Sequence, residues 1–175
     1  LMEDEESSPD TFARYQDALD GANLAERAVE LDSGNGLAHY VAAYLVGLAA
    51  ENNPYEGLAL VPRMEGLALQ AAQLAPGLDN GGADRMLGEL YLRAPEFPMS
   101  VGDTFLAVEH YRRALALAPA YTENRLGFAR ALHADGETRS ACRVYQGLID
   151  SGADLTPFAD WSQDMEALDQ ECLAP

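Results

Sequence analysis

Internal repetition constrains this chain more than any other feature. Four segments align without gaps: Ala25…Ala28…Leu31, Ala68…Ala71…Leu74, Tyr111…Ala114…Leu117 and Tyr145…Leu148…Ser151. The named positions are three residues apart in each, so they share one face of a helix. The central position is alanine in three of the four, small enough for a neighbouring helix to approach closely. Pro76 and Pro119 follow two of the segments and stop them, because proline lacks the amide donor and clashes with the preceding turn. The central positions are separated by 43, 43 and 34 residues (Ala28, Ala71, Ala114, Leu148). Such periods belong to chains built from stacked supersecondary units, each unable to bury its apolar face alone.

Thirty-four residues is the tetratricopeptide (TPR) period. Leu87-Gly88-Glu89-Leu90-Tyr91 matches the Leu-Gly-x-x-Tyr of a TPR first helix, and Ala107…Tyr111…Ala114…Pro119 matches a second helix. The fold class expected is therefore all-α: a TPR-like helix-turn-helix solenoid of about four helix pairs with a C-terminal capping helix. Residues 1–9 read as an acidic flexible N-terminus, 10–155 as the array and 156–175 as the cap. Within the array the pattern predicts a short first element over 10–33 with a turn or kink near Asp20-Gly21. Helices follow over 36–50, 62–75 with Pro62 in the first turn, 82–93, 104–118 capped by Asp103, 121–134 and 137–150. The last helix, 157–172, carries Phe158, Trp161, Met165 and Leu168 as one apolar stripe. Tyr91, Tyr111 and Tyr145 stand at anchor positions and read as core.

The two longer periods imply insertions near 51–61 and 94–103, each between the helices of its pair. In a regular array equivalent connections lie along one edge, so the two insertions are expected to form one lobe. Asn53, Tyr55, Phe97, Met99 and Asp103 are its candidate contact residues. The prolines in 94–103 predict a stiff loop.

The stretch Gly81-Gly82-Ala-Asp-Arg85-Met-Leu87-Gly88, then Leu90-Tyr91-Leu-Arg-Ala94-Pro95, then Pro98-Met-Ser100-Val-Gly102-Asp103 resembles the bacterial TPR family related to the T component of TRAP transporters. Val61-Pro62-Arg63 and Asn124-Arg125-Leu126 are similar to its flanking elements. The resemblance implies a non-enzymatic helical protein, often exported or lipid-anchored, some members accompanying a substrate-binding protein for small organic acids. No lipobox cysteine stands near the start of this sequence. First helices of TPR pairs line a concave groove, which makes His39, Tyr40, Tyr44, Arg85, Glu89, Asn124 and Arg125 the candidate groove residues. Arg85 and Arg125 open successive first helices, where a guanidinium can hold a carboxylate bidentately. The competing reading pairs each arginine with a neighbouring acid, Asp84 or Glu123.

Charge narrows the partners. The chain has 175 residues and a formal net charge of −18, with all 11 basic residues arginine. Such a surface repels nucleic acid and anionic membranes. It also disfavours capture of an acidic peptide, and the Lys-and-Asn clamp of chaperone-type TPR domains has no lysine here. The composition fits a GC-rich genome or a salty environment. The longest apolar run, Tyr40–Ala50, is too short to span a bilayer. The opening Leu1 leaves room for an export signal removed upstream: exported in that case, cytoplasmic otherwise. Cys142 and Cys172 read as two buried or half-buried thiols rather than a disulfide framework. The sequence contains no zinc-protease, Cys-x-x-Cys, Gly-x-Ser-x-Gly or Walker pattern. His39, His110 and His133 fall in separate helices. The expectation is a non-enzymatic binding module with no cofactor and no metal. It would engage a protein partner, with a substrate-binding protein or a small organic acid as the alternative and a homo-oligomer left open.

Overall fold

A computed structural model of the chain describes residues 9–173, and the expected flexible segment 1–9 lies, but for Pro9, outside them. The described residues form an all-α protein of eight α-helices packed sequentially in adjacent pairs. Contacts divide the chain into two compact units, with the boundary between Ala75 and Pro76.

The N-terminal unit contains α1 (Pro9–Leu31), α2 (Gly36–Asn52) and α3 (Pro54–Leu74). Helix α1 runs through Asp20-Gly21 without the expected turn. A Cβ at Gly21 would lie 3.0 Å from Leu45 Cδ1, so the glycine serves a close approach of α2, not a break. Asn35 caps α2, accepting the Ala38 amide at 3.0 Å. Helix α3 starts eight residues earlier than expected, at Pro54. Asn53 caps it through the amides of Tyr55 and Glu56, and Pro54 follows at the position where a missing N–H costs nothing. The insertion at 51–61 is therefore mostly helix, and Pro62 lies inside α3. The interior is built largely of alanine: Ala18, Ala22, Ala42, Ala43, Ala49, Ala68 and Ala71 are buried, with Val46. Tyr15 of α1 donates to Glu56 of α3, and that hydrogen bond raises the phenol's pKa. Arg63 bonds both Glu26 and Asn23 at 2.7 Å.

The C-terminal unit contains α4 (Gly82–Arg93), α5 (Thr104–Leu117), α6 (Thr122–Ala134), α7 (Thr138–Asp150) and α8 (Ser162–Cys172). The sequence places α4 to α7 to within about a residue, with Gly81 before α4, Asp103 and Pro119 around α5 and Gly136 before α7 as the local marks. Asp103 caps α5 as expected, accepting the Leu106 amide at 2.9 Å. Tyr111 of α5 is completely buried, with its ring between Gly88 of α4 and Gly127 of α6. A Cβ on Gly88 would lie 2.6 Å from the ring and one on Gly127 only 2.1 Å from it, so both positions need glycine. Tyr91 and Tyr145 are buried as well.

Two expectations fail at the C-terminal end. Residues 156–161 form a 3-10 turn, and α8 begins only at Ser162. Of the expected stripe only Leu168 is fully buried; Phe158 instead stacks on Trp161 at 5.3 Å. The two cysteines are not thiols. Cys142 of α7 and Cys172 of α8 form a disulfide, with Cα atoms 4.9 Å apart. Their sequence separation of 30 says nothing of this proximity, which arises because α8 folds back along α7.

Candidate functional site

The C-terminal unit brings two of the candidate residues, Arg85 of α4 and Asn124 of α6, into one polar network, and places Glu89 and Arg125 elsewhere. At its start, Asp79, Asn80 and Gly81 all have left-handed backbone, with φ of 47°, 57° and 83°. Asp and Asn tolerate this conformation better than most residues. The turn is held from outside. Arg85 donates to the Asp79 carbonyl at 3.1 Å and to its carboxylate at 2.6 Å, and lies 3.2 Å from Glu123. Asn124, completely buried, donates to the carbonyls of Asn80 at 2.8 Å and Ala114 at 2.9 Å, and accepts from Arg85 at 3.1 Å. The Arg85 guanidinium also sits over the Tyr121 ring. Arg85 thus has acid partners, but they are Asp79 and Glu123, not Asp84. Arg125 reaches the Ser151 hydroxyl at 3.3 Å.

Asp84 goes elsewhere. Its carboxylate meets His110 Nδ1 at 2.8 Å, with both side chains buried and the imidazole stacked on Tyr91. The pair ties α4 to α5.

The third cluster centres on Arg130, which sequence reasoning missed. Its side chain is only 4% exposed. It donates to Glu89 at 2.7 Å and 3.4 Å, and to Asp164 of α8 at 2.7 Å. Trp161 covers it, 4.0 Å from guanidinium carbon to ring centre. Tyr111 donates to the same Glu89 oxygen at 2.7 Å. Burial, the largest influence, works against the Arg130 charge, but Glu89, Tyr111 and Asp164 together outweigh it and the pKa rises. Burial raises the Tyr111 pKa well above the ordinary value, and Glu89 adds to the effect. Tyr145 is raised by burial and by its 2.8 Å bond to Asp169. The only sequence signal for Arg130 is its setting between Ala129 and Ala131, both of which are buried.

The remaining groove candidates lie in the N-terminal unit. His39 is buried at the start of α2, its Nε2 3.1 Å from the Ser33 carbonyl; Tyr40 is half-buried and Tyr44 exposed. Of the residues expected to form an insertion lobe, Asn53 and Asp103 serve as helix caps, while Tyr55, Phe97 and Met99 are exposed. Among the described residues, no group of three or more His, Cys, Asp and Glu side chains is placed to hold a metal ion. No described helix is long and apolar enough to cross a membrane.

The 94–103 connection is tightly tied. Gly102 donates to the Pro95 carbonyl at 2.9 Å, Met99 to Glu96 at 3.0 Å, and Asp103 to Tyr91 at 2.9 Å. Glu96 and Gly102 pair as an isolated bridge. A Cβ on Gly102 would fall 2.0 Å from the Ala94 carbonyl oxygen, so only glycine allows the two arms of the loop to close. At the far end Phe97 is 89% exposed and Met99 75% exposed.

No family model matches the chain, and no curated protein matches it.

Proposed function

We propose that this chain is a non-enzymatic, TPR-like helical module that binds a protein partner. The observation that carries the reading is the 94–103 connection, fastened by its own backbone while it presents two large apolar side chains to water. Such a loop gives a partner contact area with little ordering cost. The glycine–tyrosine–glycine packing of α4, α5 and α6 supports the TPR-like reading, as do the 43- and 34-residue periods. The disulfide favours an oxidising compartment and hence the exported alternative. Capture of a small organic acid rests on the resemblance to the TRAP-associated family, since Arg85 is already paired with Asp79 and Glu123.

The test uses the intact, oxidised chain as bait in an extract of its source, beside an equally acidic helical control, together with native mass spectra of the purified chain. A protein retained by the bait and not by the control supports the module. A co-purified organic acid with no retained protein overturns it in favour of solute binding.

A further inference from the structure

We infer that the Phe97–Met99 tip is an apolar plug that seats on an apolar protein surface rimmed by arginine and lysine side chains; this rests on the binding-module reading above. The geometry of the tip supplies the first half of the argument. Its arms are closed by hydrogen bonds at Pro95, Glu96 and Tyr91, so the two side chains are held ready before any partner arrives. Phe105 and Leu106, in the first turn of α5, are also exposed and extend the apolar character beyond the loop. Aromatic anchors on a rigid support are the side chains that contribute most when buried at an interface. Methionine beside one adapts to an irregular recess.

Charge supplies the second half. Between Arg93 and Arg112 the chain has no arginine or lysine, but three acids, Glu96, Asp103 and Glu109. Glu96 and Asp103 are exposed on the arms of the tip. Asp135 is brought to the same end of α5 by the Thr104 hydroxyl, which donates to it at 2.6 Å. Arg93, the nearest cation along the chain, lies 3.9 Å from Glu89. An apolar tip whose arms carry exposed acids, on a chain of net charge −18, is repelled by anionic lipid, by nucleic acid and by a second copy of this chain. It is attracted to a protein surface whose apolar centre has a basic rim.

The test is a titration of the full, oxidised chain with a helical peptide whose apolar Leu/Phe face is flanked by Lys and Arg. Comparison ligands are the same peptide with Glu replacing Lys and Arg, and neutral phosphatidylcholine vesicles. The basic peptide is expected to bind, shifting the Met99 methyl resonance, and the acidic one is not. A Phe97→Ser/Met99→Ser variant is expected to lose about tenfold in affinity, whereas Tyr55→Ser, which removes an equally exposed aromatic from the other unit, leaves it unchanged. Equal affinity of wild type and Phe97→Ser/Met99→Ser would show attraction by net charge alone and overturn the inference. So would binding to the vesicles, or self-association that the double substitution abolishes. If a protein captured by the wild-type bait binds the double variant equally well, the tip is overturned and the module reading stands. If the bait captures nothing while the peptide result is as expected, the module reading fails and the tip chemistry stands.

Discussion

The two units solve the same packing problem differently. The N-terminal unit uses long helices of 23, 17 and 21 residues and fills their contacts with alanine, so the backbones come close and few polar side chains are involved. The C-terminal unit uses helices of 11 to 14 residues and fills its interior with tyrosine, leucine and buried ion pairs, then closes its end with a disulfide. Short helices offer less apolar area each, so particular side-chain partners carry more of the specificity. Stability in the first unit should depend on many small contacts, and in the second on a few irreplaceable ones.

The largest expected effect lies at Gly127. Gly127→Ala puts a methyl group 2.1 Å from the Tyr111 ring and should cost the C-terminal unit about 3 kcal/mol. Trp161, the chain's single tryptophan, reports that unit in urea titrations followed by fluorescence. The matching change in the other unit, Gly47→Ala, meets only the flexible end of Met64 and should cost less than about 1 kcal/mol. Similar losses at both sites would break the comparison.

Glu89→Ala comes next. It leaves Arg130 with one carboxylate partner and Tyr111 with none, and should cost about 3 kcal/mol. Preparing the chain as Cys142→Ser/Cys172→Ser should cost about 2 to 3 kcal/mol, read as an earlier Trp161 transition with the N-terminal helices unaffected in hydrogen exchange.

Alkali should act on the same unit. Tyr111, Tyr121 and Tyr145 have raised pKa values there, and Tyr15 has one in the other unit. A raised phenol keeps its proton in the fold after the unfolded chain has lost it. The contribution is therefore complete below about pH 10 and falls as pH rises through the folded values, by about 1 kcal/mol per pH unit for each buried tyrosine. Thermal melts between pH 9 and 11, values set about the ordinary phenol pKa, should show the Trp161 transition moving down first. The smallest effect is expected at Arg63→Ala in the N-terminal unit, below about 1 kcal/mol, because its pair with Glu26 is partly solvated.

Local signals made much of the helical plan legible. Asp103 announced α5, and Pro119 announced the end of α5. The Leu-Gly-x-x-Tyr run announced α4 and the tyrosine anchors. Signals that work in more than one position misled. Gly21 reads as a turn until the approach of Leu45 is known, and Pro62 reads as a helix start until Asn53-Pro54 is seen to supply one. Arg85, Glu89 and Asn124 stood out in the sequence as polar residues of α4 and α6. Their partners did not, because Asp79, Asn80, Ala114 and Arg130 meet them only through the left-handed turn and the stacking of α4 on α6.

The sequence by itself determined the helical class, the repeat period, most helix ends and the acidity, since these follow from local backbone preference and summed charge. Only the tertiary structure decided that Cys142 meets Cys172, that Arg130 lies beneath Trp161, and that Phe97 and Met99 stand out from a closed loop. Each depends on groups brought together by chain reversal, and a proximity of that kind has no counterpart in the residues adjacent to it along the chain.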